Sequence, residues 1–274
     1  MVGFVHDCSK NRGLNHMKKP YVVPNVITAL GLSIGLFVIF KATLYDATLE
    51  PKILLFRSSL LILAAACIDV LDGFVARRLK GESLFGMNFD SLSDAITFGV
   101  APAVLLMKTA QVAPKTLPYF FTFWGAMLFS LCGVLRLVRF NVLTLGVEKP
   151  ENNKIYTGLP IPAAAMAALS MQLFFCNSSV LELFGSVVLS YIAPFFMILL
   201  AYAMISLKRF VSLKWIQKEH LDFFGVFIIS LIMLTLLFGF MYHFDWFFFL
   251  VTWAYVMWGI FYRSTNQSLE TLEE

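Results

Sequence analysis

Leu60-Leu61-Ile62-Leu63-Ala64-Ala65-Ala66-Cys67-Ile68 runs without a strongly polar side chain and then meets Asp69, Asp72 and Gly73. A second stretch reverses that order: Asp90 and Asp94 precede Ala95-Ile96-Thr97-Phe98-Gly99-Val100. Apolar runs of this kind recur along a chain of 274 residues that is 59% hydrophobic and 14% charged. The mean hydropathy is +0.79. Such a composition excludes an ordinary soluble domain or a disordered segment. In lipid every backbone polar group needs a partner within the protein, and runs of about 20 apolar residues meet that need as helices. The expected fold class is therefore all-α integral membrane, a polytopic helical bundle.

On that template spans fall near 24–44, 55–76, 95–112, 117–138, 160–177, 182–206, 223–241 and 245–262, about eight transmembrane helices. The second is least clear at its start, and the fifth is short and alanine-rich. Residues 1–20 are polar and basic with no apolar signal-peptide run. Cys8, Cys67, Cys132 and Cys176 are scattered, which indicates neither a disulfide framework nor a zinc site. His6, His16, His220 and His243 likewise show no metal-ligand spacing. With the N-terminus inside, only Lys41, Lys52, Arg57, Lys108 and Lys115 of the 21 Lys and Arg fall outside. That positive-inside bias places both termini in the cytoplasm. Residues 208–222 interleave cations with Phe210, Leu213, Trp215 and Ile216, which suits either a headgroup-layer segment or a topology-fixing loop. Gly31 and Gly35 form a small-xxx-small pair on the first span.

Half of the eight aspartates lie in one window, as Asp69, Asp72, Asp90 and Asp94. An ionised Asp at a membrane-helix centre costs about 2.5–3.5 kcal/mol even on the lenient insertion scale. Four of them demand neutralisation or a wet, protein-lined cavity. At 100° per residue Asp69, Asp72, Gly73 and Ala76 share one helical face, as do Gly86, Asp90 and Asp94. A hairpin through the basic turn Arg78-Leu79-Lys80-Gly81-Glu82-Ser83 brings the two faces together. All-oxygen ligation favours magnesium, manganese or calcium, and four carboxylates can bridge two ions suited to phosphoryl chemistry. Gly73, Ala76 and Gly86 clear space beside them, and Arg77 has the fork geometry for phosphate oxygens.

Written out, the window is Asp69-x2-Asp72-Gly73-x2-Ala76-Arg77-x8-Gly86-x3-Asp90-x3-Asp94. It resembles the complete signature of the CDP-alcohol phosphotransferase family. The resemblance implies a six-helix core, here spans one to six, that pairs as a homodimer and holds two Mg2+ or Mn2+ ions. Asp69, Asp72, Asp90 and Asp94 would be the metal ligands, with Asp94 also the catalytic base. Asp69, Gly73, Ala76, Arg77 and Gly86 would contact the CDP-diacylglycerol donor. Pro24-Asn25-Val26-Ile27-Thr28 also resembles family members, which adds Asn25 and Thr28 to the donor site; a simple helix cap explains this run equally well. The division then reads 1–23 basic N-terminal segment, 24–207 catalytic core, 208–222 interfacial segment and 223–274 two-helix extension with tail.

The stretches Asp90 to Ala103, Cys132 to Asn141 and Tyr156 to Ala164, with Phe89 beside Asp90, resemble the serine-using branch of that family. The implied reaction is phosphatidyl transfer to L-serine with release of CMP, in a multi-pass protein of the bacterial inner membrane whose site faces the cytoplasm. Arg136 and Arg139, at i and i+3, suit the carboxylate of serine, and Asn141 could add amide contacts. The same arginines could anchor the helix end at lipid phosphates or bind a phosphorylated acceptor such as glycerol 3-phosphate or inositol phosphate. Intramembrane carboxylates also occur in ion pathways, so a divalent-cation transporter is the alternative of another class. Membrane lipids are expected partners, and no nucleic-acid polymer is implied.

Overall fold

The computed structural model describes residues 22–45, 50–78, 84–110, 112–145, 158–184, 188–206 and 244–270, and every regular element among them is helical. Helix α1 is Val22–Thr43 and α2 is Pro51–Arg78. Helix α3, Leu84–Asp94, continues through a π-helical turn at Ala95–Val100 into α4, Ala101–Thr109. Then come α5 (Leu117–Leu145), α6 (Ile161–Phe175) and the short α7 (Ser178–Phe184). A second π-helical turn, Val188–Ile192, leads into α8 (Ala193–Ile205), and α9 is Phe244–Glu270.

Four stretches are long and apolar enough to cross a bilayer: Val23–Thr43, Pro51–Gly73, Leu84–Thr109 and Leu117–Val142. At 1.5 Å rise per residue each spans about 30 Å or more. Shorter apolar helices, Ile161–Phe175 and Ser190–Ile205, accompany them. The chain is a polytopic helical membrane protein. The expected seventh span, the interfacial segment 208–222, most of the N-terminal segment and the 79–83 turn lie outside the described residues.

One boundary that bears on the site differs from the sequence expectation. The third span starts at Leu84, not at 95, so Asp90 and Asp94 sit on the membrane helix itself. Asp90, Ser91, Ser93 and Asp94 depress local hydropathy, but their side chains face other helices, where lipid does not penalise them. Of the sixth span expected over 182–206, the described residues are helical on both sides of 185–187, which lie outside the described residues.

The helices are sorted by size, with small and polar groups turned inward. On α1, Thr28, Gly31, Gly35, Val38 and Ala42 are buried, while Val23, Val26, Leu30, Phe37 and Phe40 are exposed. Lipid tails are as apolar as leucine, so close van der Waals packing drives helix association. A Cβ on Gly35 would lie 2.9 Å from Thr97 Cα in the π-helical turn, and one on Gly31 would touch Ile68 of α2. The small-residue pair thus seats α1 against two neighbours. Gly125 does the same for α5 on α8, where a Cβ would come 2.9 Å from the Pro194 carbonyl. Alanine-rich α6 is central: every residue from Ala164 to Leu173 is buried, and it packs against α2, α8 and α9.

Candidate metal centre

Four helices build the site. The last turns of α2 carry Asp69 and Asp72, α3 carries Asp90 and Asp94, α1 supplies Thr28, and α5 supplies Arg136. One carboxylate oxygen from each of Asp69, Asp72 and Asp90 lies within 4.8 Å of the other two. The Asp94 carboxyl is within hydrogen-bonding reach of Asp69. Asp72 is buried, and its three companions are partly so. At that spacing each ionised pair repels by about 3 kcal/mol at an effective dielectric constant of about 20. A divalent cation fits the donor set: oxygen ligands facing each other across magnesium stand about 4 Å apart, so little movement closes the triad around an ion.

Neighbouring groups orient the carboxylates. Thr28 Oγ1 lies 2.7 Å from Asp72 Oδ2 and 3.0 Å from the Pro24 carbonyl, so its one hydrogen is directed to either. Ser93 Oγ lies 3.5 Å from the Thr28 carbonyl, which ties α3 to α1 at the same level. Gly31, Ala65 and Ile68 complete the wall of the recess into which the four aspartates open.

The structure brings together Asp69, Asp72, Asp90, Asp94 and Thr28. Asn25, Gly73 and Gly86 are partly buried, with Asn25 on the first turn of α1, Gly73 beside Asp72 and Gly86 one turn before Asp90. The side chains of Ala76 and Arg77, on the end of α2, lie outside the described residues, as do Tyr156 and Thr157. The two arginines of α5 diverge. Arg136 is partly buried and acts electrostatically on Asp94 and Tyr255. Arg139 is exposed, with its guanidinium 3.5 Å from the Ile205 carbonyl at the end of α8. Asn141 Nδ2 donates to Ser91 Oγ at 2.9 Å, a link between α5 and α3.

Sequence reasoning passed over Ser91 and Ser93, although both lie between two of the singled-out aspartates. A hydroxyl flanked by membrane carboxylates was the available signal. Tyr255 on α9 carried none, because its closeness to Arg136 depends on how a distant helix docks.

The family model for CDP-alcohol phosphatidyltransferase matches residues 21–198. A CDP-diacylglycerol–serine O-phosphatidyltransferase of Mycobacterium leprae is 39% identical over 152 residues, covering 55% of this chain and 46% of that protein. An archaetidylserine synthase of Methanothermobacter thermautotrophicus is 39% identical over 153 residues, covering 55% and 58%. A CDP-diacylglycerol–serine O-phosphatidyltransferase of Helicobacter pylori is 34% identical over 229 residues, covering 80% and 82%. The chain spans about half the length of the first two relatives and most of the third. The matched region contains all four aspartates and the helices α1 to α6 that position them, and the chain belongs to the CDP-alcohol phosphatidyltransferase family.

Proposed function

We propose that this protein transfers a phosphatidyl group from CDP-diacylglycerol to L-serine, giving phosphatidylserine and CMP. The observation that carries this reading is the carboxylate triad, with oxygens within 4.8 Å of one another, on the family's signature. Serine as acceptor is supported by the names of the bacterial and archaeal relatives alike. Those names differ in the lipid, so the donor carries either diacylglycerol or an archaeal ether lipid.

Asp69, Asp72, Asp90 and Asp94 would hold two Mg2+ or Mn2+ ions, which when bound neutralise the diphosphate and favour the departure of CMP. Asp94 accepts the proton of the serine hydroxyl as that oxygen bonds to the β-phosphorus and the bond to the CMP oxygen breaks. Thr28 holds Asp72 in its ligating orientation through the 2.7 Å contact. Arg136, whose charge faces Asp94, receives the serine carboxylate near the base. Arg139 extends that positive surface toward α8. Asn25, Gly73, Ala76, Arg77 and Gly86 accommodate the nucleotide diphosphate. Positioning and electrostatics then supply most of the rate.

The same reading includes a site that opens to the cytoplasm of a bacterial inner membrane, both termini on that side, and a homodimer. Residues 24–207 form the catalytic core, and 223–274 form an extension. Accessibility labelling of introduced cysteines on each side of sealed vesicles tests the orientation, and cross-linking in native membranes tests the dimer.

Purified protein with Mn2+ or Mg2+ and CDP-diacylglycerol is given serine, glycerol 3-phosphate, inositol or inositol phosphate, and CMP release is measured. Release with serine alone is expected. Preference for a phosphorylated acceptor would reassign Arg136 to phosphate. Metal flux in proteoliposomes without CMP release would replace the enzyme by a transporter.

A further inference from the structure

Asn141 stands where an acceptor ligand is expected from the sequence, yet its amide is engaged between helices. Its Nδ2 donates to Ser91 Oγ at 2.9 Å, and that hydroxyl in turn lies 3.1 Å from the Met87 carbonyl. Both side chains are partly buried. Ser91 adjoins Asp90 and precedes Asp94 by three residues. Within Asp90-Ser91-Leu92-Ser93-Asp94, the serines hold α3 from two sides: Ser93 toward the Thr28 carbonyl of α1, Ser91 toward Asn141 of α5. Leu92 between them turns outward and is exposed.

The Asn141–Ser91 bond also ends an ordered antiparallel register between the α3–α4 helix and α5. Ser130 Oγ donates to the Gly99 carbonyl at 3.0 Å, and a Cβ on Gly133 would lie 3.8 Å from Gly99 Cα. Arg136 lies in the electrostatic surroundings of Asp94, and Asn141 meets Ser91. From Gly99 to Ser91 the partners on α5 run from Ser130 and Gly133 to Asn141, in the opposite chain direction. Asn141–Ser91 is the one rung with a side chain–side chain hydrogen bond among the described residues, and it lies beside the carboxylates.

We propose that Asn141 and Ser91 form an interhelical clip that sets the Asp90 and Asp94 face of α3 for metal binding, so that Asn141 is a positioning residue and not an acceptor ligand. The proposal rests on the metal-centre reading above. A positioning role predicts an effect on metal affinity in the absence of serine, whereas an acceptor ligand would leave that affinity alone. Interhelical hydrogen bonds in membranes are individually modest, and groups that support ligating carboxylates tune metal affinity more than tenfold when they touch the ligands directly. One shell further out, the expected weakening is about three- to tenfold.

The test is Mn2+ binding to the full chain in detergent, followed by electron paramagnetic resonance without substrate, beside kcat and KM for serine from CMP release. N141A and S91A should each weaken Mn2+ binding by about three- to tenfold, with KM for serine changed less than twofold. The double variant should be no weaker than the worse single one, because both remove the same bond. S91T, which keeps the hydroxyl, should recover affinity toward wild type. If N141A is not recovered folded, S91A and S91T carry the same comparison. Mn2+ affinity within twofold of wild type in S91A, or in N141A with a raised KM for serine, overturns the clip. Effects that simply multiply in the double variant overturn it too. Wild type that binds Mn2+ but releases no CMP defeats the transferase reading while the binding comparison still judges the clip; wild type that binds no Mn2+ overturns both.

Discussion

Asp72 and Asp94 sit in different surroundings, and the difference gives distinct expectations. Asp72 is buried and held by Thr28, so T28V removes an orienting hydrogen bond from a proposed ligand. Half-maximal activation should then need about 10- to 100-fold more Mn2+, read from CMP release against metal concentration. Asp94 lies within hydrogen-bonding reach of Asp69, and a neighbouring carboxylate favours proton uptake, a setting suited to the proposed base. D94N should lower kcat by about 10²- to 10⁴-fold, the usual reach of a general base. Near-normal turnover in D94N would assign the base elsewhere. Chelation by EDTA should abolish CMP release, and added Mn2+ or Mg2+ should restore it. The quartet was legible in the sequence because a carboxylate among apolar residues is costly unless it has a partner. The direction of Arg136 and Arg139 was not legible. Spacing of i, i+3 gives a shared side of α5, whereas packing partly buries Arg136 within the field of Asp94 and leaves Arg139 exposed beside the end of α8.

Helix boundaries and contacts turn on which face meets lipid. The α3–α4 helix reads as starting near 95 by hydropathy, but its polar first half packs against α1, is tied to α5 by the Asn141–Ser91 hydrogen bond, and so belongs to the bundle. Hydropathy windows average over faces and therefore lose the distinction between a polar group toward protein and one toward lipid. On α1 that distinction is testable by substitution on opposite sides. Gly35 has no room, since even a Cβ would press on Thr97 backbone. G35A should destabilise the fold by about 1–3 kcal/mol, seen as a lowered thermal midpoint in detergent. Phe37 is 55% exposed on the outer side of the same helix. F37L should be silent there, and F37D should cost about 2.5–3.5 kcal/mol of insertion, read in a translocon glycosylation assay.

At the scale of the whole molecule, the C-terminal helix is tied into the bundle. Beyond the matched family region, α9 docks against α6, the residues just after it and the start of α2 through three kinds of contact. Lys52 and Asp245 pair at 2.8 Å, and Asn177 Nδ2 lies 3.4 Å from the same carboxylate. Ser170 Oγ and Thr252 Oγ1 are 2.7 Å apart, and Phe174 stacks on Phe249 with centroids 4.4 Å apart. This places Tyr255 in the electrostatic surroundings of Arg136. Because the ion pair is remote from the carboxylates and partly exposed, D245A should cost no more than about 1 kcal/mol. It should lower the thermal midpoint slightly and leave kcat unchanged. A large loss of kcat would show that α9 docking is transmitted to the centre.

By itself the sequence determined the solvent, the helical class and the residues with chemistry to do. Those properties follow from local composition and from the penalty lipid sets on charge, and both are written along the chain. Tertiary structure alone decided where the third span begins, which arginine faces the aspartates, and that Asn141 meets Ser91. Those outcomes depend on the register and rotation of helices separated by tens of residues. Small side chains at Gly31, Gly35 and Gly125 allow the close approach, and only the assembled bundle specifies which partner fills it.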